Sequence, residues 1–515
     1  MKKILSIYLL FCVVVASAQQ TEDIYLHRDY SFQYQYQADT TNFFPTSIRP
    51  YKRSQFKGNL STKQEGISSV SEKNTLHFLP IVDVVSGYDV YQSNYAGFKG
   101  AGADLFYEHN SKLGLNLQYV YLQAQPLSFI DSSFAQFGII DGFGQAHRNN
   151  MGFAAHMATG YLSYSPNKIF NLQAGRGKHF WGDGYRSLLL SDNAMPMPYF
   201  RMNTEFWRIK YVNLFAQQTD IRDIYQYNKK YTATHYLEWA ISKRVNLSLF
   251  ETIVFLQKDT LLSRGFELAY LNPIIFYRPV EYSLGSADNA LMGLNLKVKL
   301  GKRTTTYGQF ILDEFKLDEI QAQITADTGW WANKYGGQIG IKSYEVFSIK
   351  GLYVQAEASG VRPFMYSHGN SMRNLTPINT VQNYGHANQS MAHPLGASFY
   401  DYFILVRYQK NKWVFENKTN IAEFGRDTSA ASLGADIYKS YTLRAMEYGN
   451  KTLQGRHHSL FQNELRATYL LSEKFNLWCS AGVLYRSLKT EIETQRNVFF
   501  NVSLRTSIGN RYYDY

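Results

Sequence analysis

Two cysteines in the whole chain, Cys12 and Cys479, leave little room for disulfide chemistry. Cys12 lies in the apolar run Ile4 to Val15, which follows Lys2 and Lys3 and precedes Ala16-Ser17-Ala18. That order is a secretory signal peptide, too short to span a bilayer. Phe11 before Cys12 is not the small residue a lipoprotein processing site needs. Removal of residues 1–18 is therefore expected, with Gln19 near the mature start and Cys479 left alone. An intramolecular disulfide and a cysteine-type zinc site are excluded. Beyond the leader no run of eighteen apolar residues occurs, so a helical membrane span is not expected. Basic residues form no continuous stripe, so nucleic acid is not an expected partner of an exported chain.

What the chain has in excess is aromatic side chains. They make up 16% of it, with 41 Tyr and 34 Phe against 12 Pro. Aromatic girdles of a transmembrane β-barrel would use that excess, and a barrel's alternating faces also explain a mean hydropathy of -0.33. The formal charge of +12 falls to +10 without Lys2 and Lys3. Such an excess attracts acidic glycans or lipid headgroups, although scattered basic residues also solvate a surface.

Period-two alternation begins around Leu76. Leu113, Leu115, Leu117, Tyr119 and Tyr121 share one face, with Gly114, Asn116, Gln118 and Val120 on the other. Met292, Leu294, Leu296, Val298 and Leu300 oppose Gly293, Asn295, Lys297 and Lys299 in the same way. Phe461, Leu465 and Tyr469 oppose Gln462, Glu464, Arg466 and Thr468, and a final strand is expected over Phe500 to Ile508, with an aromatic terminus at Tyr515. One face reads as lipid-facing and the other as lumenal. Polar turns recur at His109 to Lys112, Pro166 to Lys168, Ser242 to Arg244, Gly301 to Arg303, Lys410 to Lys412 and Ser472 to Lys474. A soluble sandwich alternates similarly; export, aromatic excess and the contrast of short turns with long loops favour the membrane.

The expected organisation is an N-terminal periplasmic or plug segment at 19–73 and an outer-membrane antiparallel β-barrel at 74–515. Longer irregular segments, Ser128 to Ala154, Trp181 to Asn203, Asn272 to Asn289 and Ser359 to Phe399, are the expected places for plugs and ligand contacts. The densest stretch is GRGKHFWGDGYRSLLLSDNAMPMPYFRMNTEFWRIKY, Gly175 to Tyr211. Its glycines permit close backbone approach, while its rings, forked donors and carboxylates suit a polyhydroxylated or anionic ligand. They equally suit a folded-in loop that stiffens a scaffold.

LNPIIFYRPVEYSLGSADN at Leu271 to Asn289, VRPFMYSH at Val361 to His368 and NYGHANQSMAHPLG at Asn383 to Gly396 share this character. Together with the dense stretch they resemble the Wzi-type capsule-assembly proteins of the outer membrane, in the branch that includes the gliding-motility protein RemB. RSLLLSDNAMPMP matches the wider family's arginine, serine-leucine and asparagine-alanine-proline run; RPVEYSLGSADN, RPFMYSH and AHPLG resemble only that branch. The resemblance, from about Leu76 onward, implies a barrel of about eighteen strands with folded loops blocking much of the lumen, and lectin-like attachment of exported polysaccharide. Capsular or other surface polysaccharide and outer-membrane lipid are the expected partners, with motility or adhesin proteins under the alternative of a surface-motility component. The 19–73 segment departs from the family, since it does not read as a helical bundle.

A glycan binder needs aromatic faces for sugar rings and planar donors for hydroxyls or carboxylates. Trp181, Tyr185, Arg186, Asn193, Arg278, Arg362 and Tyr366 are the suited candidates. The same arginines could instead lock loops to the wall, as Arg278 with Glu281 or Arg186 with Asp192. His368, His386 and His393 match no compact ligand spacing, so no metal or other cofactor is expected. Asp183 with Asp192, or Glu281 with Asp288, could form a hydrolytic pair, but carboxylates also solvate lumens, and no serine elbow surrounds Ser187 or Ser191. The expectation is a binding protein rather than an enzyme.

Overall fold

The computed structural model describes residues 21–40, 45–56, 66–223, 227–256, 266–275, 288–314, 317–369, 381–428, 431–506, 509–512 and 515. The expected leader, Arg278 and Glu281 lie outside them. Eighteen long antiparallel strands close into a barrel. They are β1 (Asn74–Asp89), β2 (Asn94–His109), β3 (Leu113–Gln125), β4 (Gly152–Tyr164), β5 (Phe170–Gly177), β6 (Met197–Phe206), β7 (Ile209–Asp220), β8 (Asn228–Ala240) and β9 (Val245–Leu256). The second half comprises β10 (Asn289–Lys299), β11 (Thr304–Leu312), β12 (Tyr335–Tyr344), β13 (Leu352–Val361), β14 (Phe399–Lys410), β15 (Trp413–Arg426), β16 (Arg456–Ser472), β17 (Leu477–Thr490) and β18 (Thr494–Thr506). Closure pairs β18 with β1, Phe499 opposite Asp89 and Arg505 opposite Asp83. Closure removes the open edges of the sheet, so neighbouring strands pair their backbone polar groups all round the wall.

The alternation decides which way each side chain points. In β3, Leu113, Leu115, Leu117, Tyr119 and Tyr121 are exposed on the outside. Asn116 and Gln118 turn inward, and both donate to Asp104, at 3.0 and 3.1 Å. In β10, Leu294 and Leu296 face out, while Asn295 and Lys297 are buried within. Outward aromatics gather toward the two rims: Tyr164, Phe170, Trp207, Trp239 and Trp413 at one, Tyr88, Tyr95, Phe200 and Tyr400 at the other. An apolar band between aromatic belts is the surface of a transmembrane barrel.

The six polar turns all fall at one rim, where the chain also enters β1 and leaves β18. Asn110, Ser111 and Asn411 take positive φ of 52°, 53° and 55° there, as tight hairpin turns require. The opposite rim carries the long connections, 126–151, 178–196, 257–288, 313–334, 362–398 and 427–455.

Several expected boundaries move. Trp181 to Asn203 is not all loop, because Met197 onward pairs with both β5 and β7. Ala154 belongs to β4, and Ser359 to Val361 complete β13. The last strand begins at Thr494 rather than Phe500 and is described to Thr506; the expected end at Ile508 lies outside the described residues. Tyr515 therefore does not end a strand: its hydroxyl reaches the lumenal Asp401 at 2.9 Å.

Inside the barrel, residues 21–40 and 45–56 fill the lumen near the short-turn rim around a helix, α1 (Arg28–Thr40). Thr21 bonds Glu108, Tyr25 bonds Asp104, and Asp39 pairs with Lys297 and Lys342 at 3.2 and 2.8 Å. Ile48 and Arg49 form a two-residue ladder with Trp181 and Phe180 of the 178–196 loop, which also folds inward. Leu188, Leu189 and Leu190 of that loop are at most 1% exposed and pack on Val212, Tyr236, Phe250 and Ile311. Burial of each such side chain contributes roughly 1.5–3 kcal/mol, so an apolar core of the soluble kind holds the loop inside.

Candidate functional site

The 178–196 loop runs across the lumen, and glycines decide how closely it does so. Gly182 has φ +140°, and a Cβ there would lie 2.2 Å from Gln309 Nε2. A Cβ on Gly184 would lie 2.5 Å from Glu357 Oε2. With no side chain in the way, the backbone N–H groups of Tyr185 and Arg186 donate to the Glu357 carboxylate. Gln309 Oε1 accepts from Leu188 N at 2.8 Å. The GDG triplet is thus a close approach of backbone to wall.

Most of the sequence-nominated residues are committed within this packing. Trp181 is 0% exposed, its ring 5.2 Å from that of Tyr236. Arg186 is 1% exposed and donates to Asp401 at 3.0 Å and Asn420 at 3.2 Å. The expected pairing of Arg186 with Asp192 does not form; Asp192 instead accepts from Tyr512 at 2.6 Å and Asn510 at 2.9 Å. Asn193 donates to the Ser390 carbonyl, and Tyr366, 0% exposed, donates to the Leu188 carbonyl at 2.8 Å. Arg362 donates to the carbonyls of Asn333 and Asn450. Tyr185 differs, because one face stacks on Phe403 at 3.9 Å while the Arg28 guanidinium lies 3.4 Å from its ring centre.

The remaining candidates fall elsewhere. His386 accepts from Thr219 N, and His393 lies 3.4 Å from Asp401, stacked on Phe399. Asp183 pairs with Lys297 at 2.9 Å and accepts from Asn295. Asp288 accepts from Tyr270.

Two chambers among the described residues lie between wall and filling. The smaller, about 160 Å³, lies between the β1–β5 wall, the start of the plug and Lys178, Asp192 and Tyr199. The larger, about 230 Å³, faces β13–β18 and is bordered by Arg28, Arg49, Tyr185, Arg407 and Arg466. Asn510 and Arg511 border both, so the folded-back tail divides them. Of the nominated residues that are described, Tyr185 alone lines either chamber.

Charge is distributed unevenly. Burial alone would raise the Asp39 carboxyl, but the ammonium groups of Lys342 and Lys297 outweigh it and hold it below the usual carboxylate range. Asp183 is held low by Lys297 and Lys342 against the same burial. Burial pushes Lys178 down to about 8, partly opposed by Asp192. Asp141, in the loop after β3, is raised to about 6 by burial. Arg28, Arg49, Arg407 and Arg466 were missed by sequence reading. Arg407 and Arg466 carried the inward-charge signal of their strands; Arg28 and Arg49 lie in a segment without alternation.

No protein-family model matches this chain, and no curated protein matches it by sequence. Among solved structures it is similar to Wzi of Escherichia coli, with a TM-score of 0.57 over 96% of this chain and 100% of that one, at 11% identity. The chain has a Wzi-like fold. Wzi is described as an outer-membrane protein involved in group 1 capsule assembly and as a carbohydrate-binding β-barrel. OpdK and OprD of Pseudomonas aeruginosa match at a TM-score of 0.45 each, with 8% and 9% identity over 85% and 86% of this chain and 99% and 96% of theirs.

Proposed function

We propose that this chain is a non-enzymatic outer-membrane barrel that binds an exported polysaccharide and helps assemble or anchor it at the cell surface. The observation that carries the reading is a Wzi-like barrel whose lumen is filled from inside: residues 21–40, 45–56, 178–196 and 509–512 occupy the space a diffusion pore keeps open. A filled lumen favours binding over conduction. The long connections share one rim, the side that faces outward in such barrels, where they can meet a polymer leaving the cell. The seven nominated residues enter this reading unequally. Tyr185 borders a chamber, whereas Trp181, Arg186, Asn193, Arg362 and Tyr366 act by holding loops in place; Arg278 lies outside the described residues.

Deleting the gene and quantifying cell-bound against released polysaccharide tests the role. A shift of polymer into the medium is expected, and an unchanged distribution contradicts it. A second reading, a platform for surface motility or adhesion, draws on the RPFMYSH and AHPLG segments that resemble the RemB branch. Crosslinking on intact cells separates the two: recovered adhesins or motor proteins favour the platform, and recovered glycan alone favours the binding barrel.

A further inference from the structure

We infer that the larger lumenal chamber is a binding site for a carboxylate-bearing sugar, held by Arg28 and Arg49. Seven cationic side chains line that chamber against three carboxylates, Asp29, Glu416 and Glu464. Five of the cations are matched. Arg407 and Arg466 share Asp29 and Glu416, Lys418 pairs with Glu464, and Arg505 and Arg511 share Asp83. Arg28 and Arg49 make no direct carboxylate pair among the described residues; Asp192 acts on Arg28 only across the Tyr512 hydroxyl that both bond.

Both are instead held on backbone carbonyls of one turn. Arg49 Nη2 donates to Gly182 O at 3.2 Å and Gly184 O at 3.1 Å, its guanidinium 3.9 Å from the centre of the Phe180 ring. Arg28 Nη2 donates to Tyr185 O and to the Tyr512 hydroxyl, the latter at 2.8 Å. Arg49 is 7% exposed, yet its Nε has no hydrogen-bond partner; Arg407, 2% exposed, also has an unpartnered Nε. A buried cation with donors to spare costs free energy that carbonyls and ring faces offset only in part. An oxyanion entering the chamber would meet guanidinium groups whose planar fork favours carboxylates.

The rest of the lining points to a sugar as the bearer of that charge. Gln355, Gln462, Ser480, Asn501 and Ser503 supply amide and hydroxyl groups for ring hydroxyls, and Phe129 and Phe499 supply apolar faces. The inference rests on the polysaccharide reading for the sugar alone; the anion preference stands on the two arginines.

Calorimetric titration of the full-length, detergent-folded barrel with glucuronate, glucose and inorganic phosphate tests it, beside an Arg28→Gln/Arg49→Gln variant whose fold is confirmed by heat-modifiable gel mobility. Glucuronate should bind saturably, glucose at least about tenfold more weakly, and the variant should lose at least about tenfold for glucuronate, as when desolvated charge pairs are cut. Equal binding of glucose and glucuronate, phosphate binding without glucuronate binding, or full glucuronate affinity in the folded variant overturns the inference. Should the variant not fold, salt decides on the native barrel: glucuronate affinity that falls with salt supports the site, and salt-independent affinity contradicts it. Host polysaccharide is titrated in parallel. Polymer binding without glucuronate binding defeats this inference alone, and binding of neither defeats the surface reading as well.

Discussion

Arg186 and Arg28 lie about the same Tyr185 ring in opposite circumstances, their guanidinium carbons 5.5 and 3.4 Å from its centre. On the Arg186 side the lumen is packed and matched, with Asp401, Asn420, His393 and the Tyr515 hydroxyl closing one network. On the Arg28 side a chamber opens, and positive charge exceeds the carboxylates that line it. Residue type alone does not separate the two. What separates them is direct contact: Asp401 bonds the Arg186 guanidinium, whereas Arg28 is held by a carbonyl, a hydroxyl and a ring face and borders the chamber.

Acid should give the largest departure from this arrangement. Asp39 and Asp183 titrate below the ordinary carboxyl value of 3.8 because lysine ammonium groups outweigh burial. Their folded pKa values are depressed, so the stability they contribute is fully present above 3.8 and is lost as pH falls through the folded values. Protease protection of residues 21–56 should therefore hold from neutral pH down to that value and decline below it; constant protection into stronger acid would separate plug docking from these pairs. Next comes Arg186→Ala, which strands the buried Asp401 carboxylate and should cost about 3–5 kcal/mol in denaturant unfolding of the folded barrel. Gly184→Ala forces a Cβ against the Glu357 carboxylate and should cost about 1–3 kcal/mol by the same measurement. Arg28→Gln breaks no direct carboxylate pair and should change stability least, by about 1 kcal/mol or less. If Arg28→Gln destabilises as much as Arg186→Ala, the distinction between matched and unmatched arginines fails.

The wall was legible because its physics is local. Side chains two residues apart share a face, so Leu113 to Tyr121 and Met292 to Leu300 announced which side meets lipid, and the polar turns marked one rim. β5 and β6 were harder to read, because Gly175, Gly177 and Pro198 disguise short strands as loop. The helix Arg28–Thr40 was illegible for a different reason. It packs into a polar lumen, so its buried residues include Asp29 and Asp39 beside Tyr30, Tyr34 and Ala38, and no apolar stripe marks it. The pairing of Arg186 joins residues 215 positions apart, which no local spacing reveals; Asp192 was the nearer partner in sequence and the wrong one in space. The site motifs were thus recognisable as special, while the division into fold-holding and chamber-lining residues required the three-dimensional arrangement.

The central claim is that this filled barrel binds polysaccharide. Its most direct test is titration of the purified, detergent-folded full-length protein with polysaccharide isolated from the surface of its own host. Saturable binding by the intact barrel is predicted; a correctly folded barrel that binds none of that polymer would contradict the account.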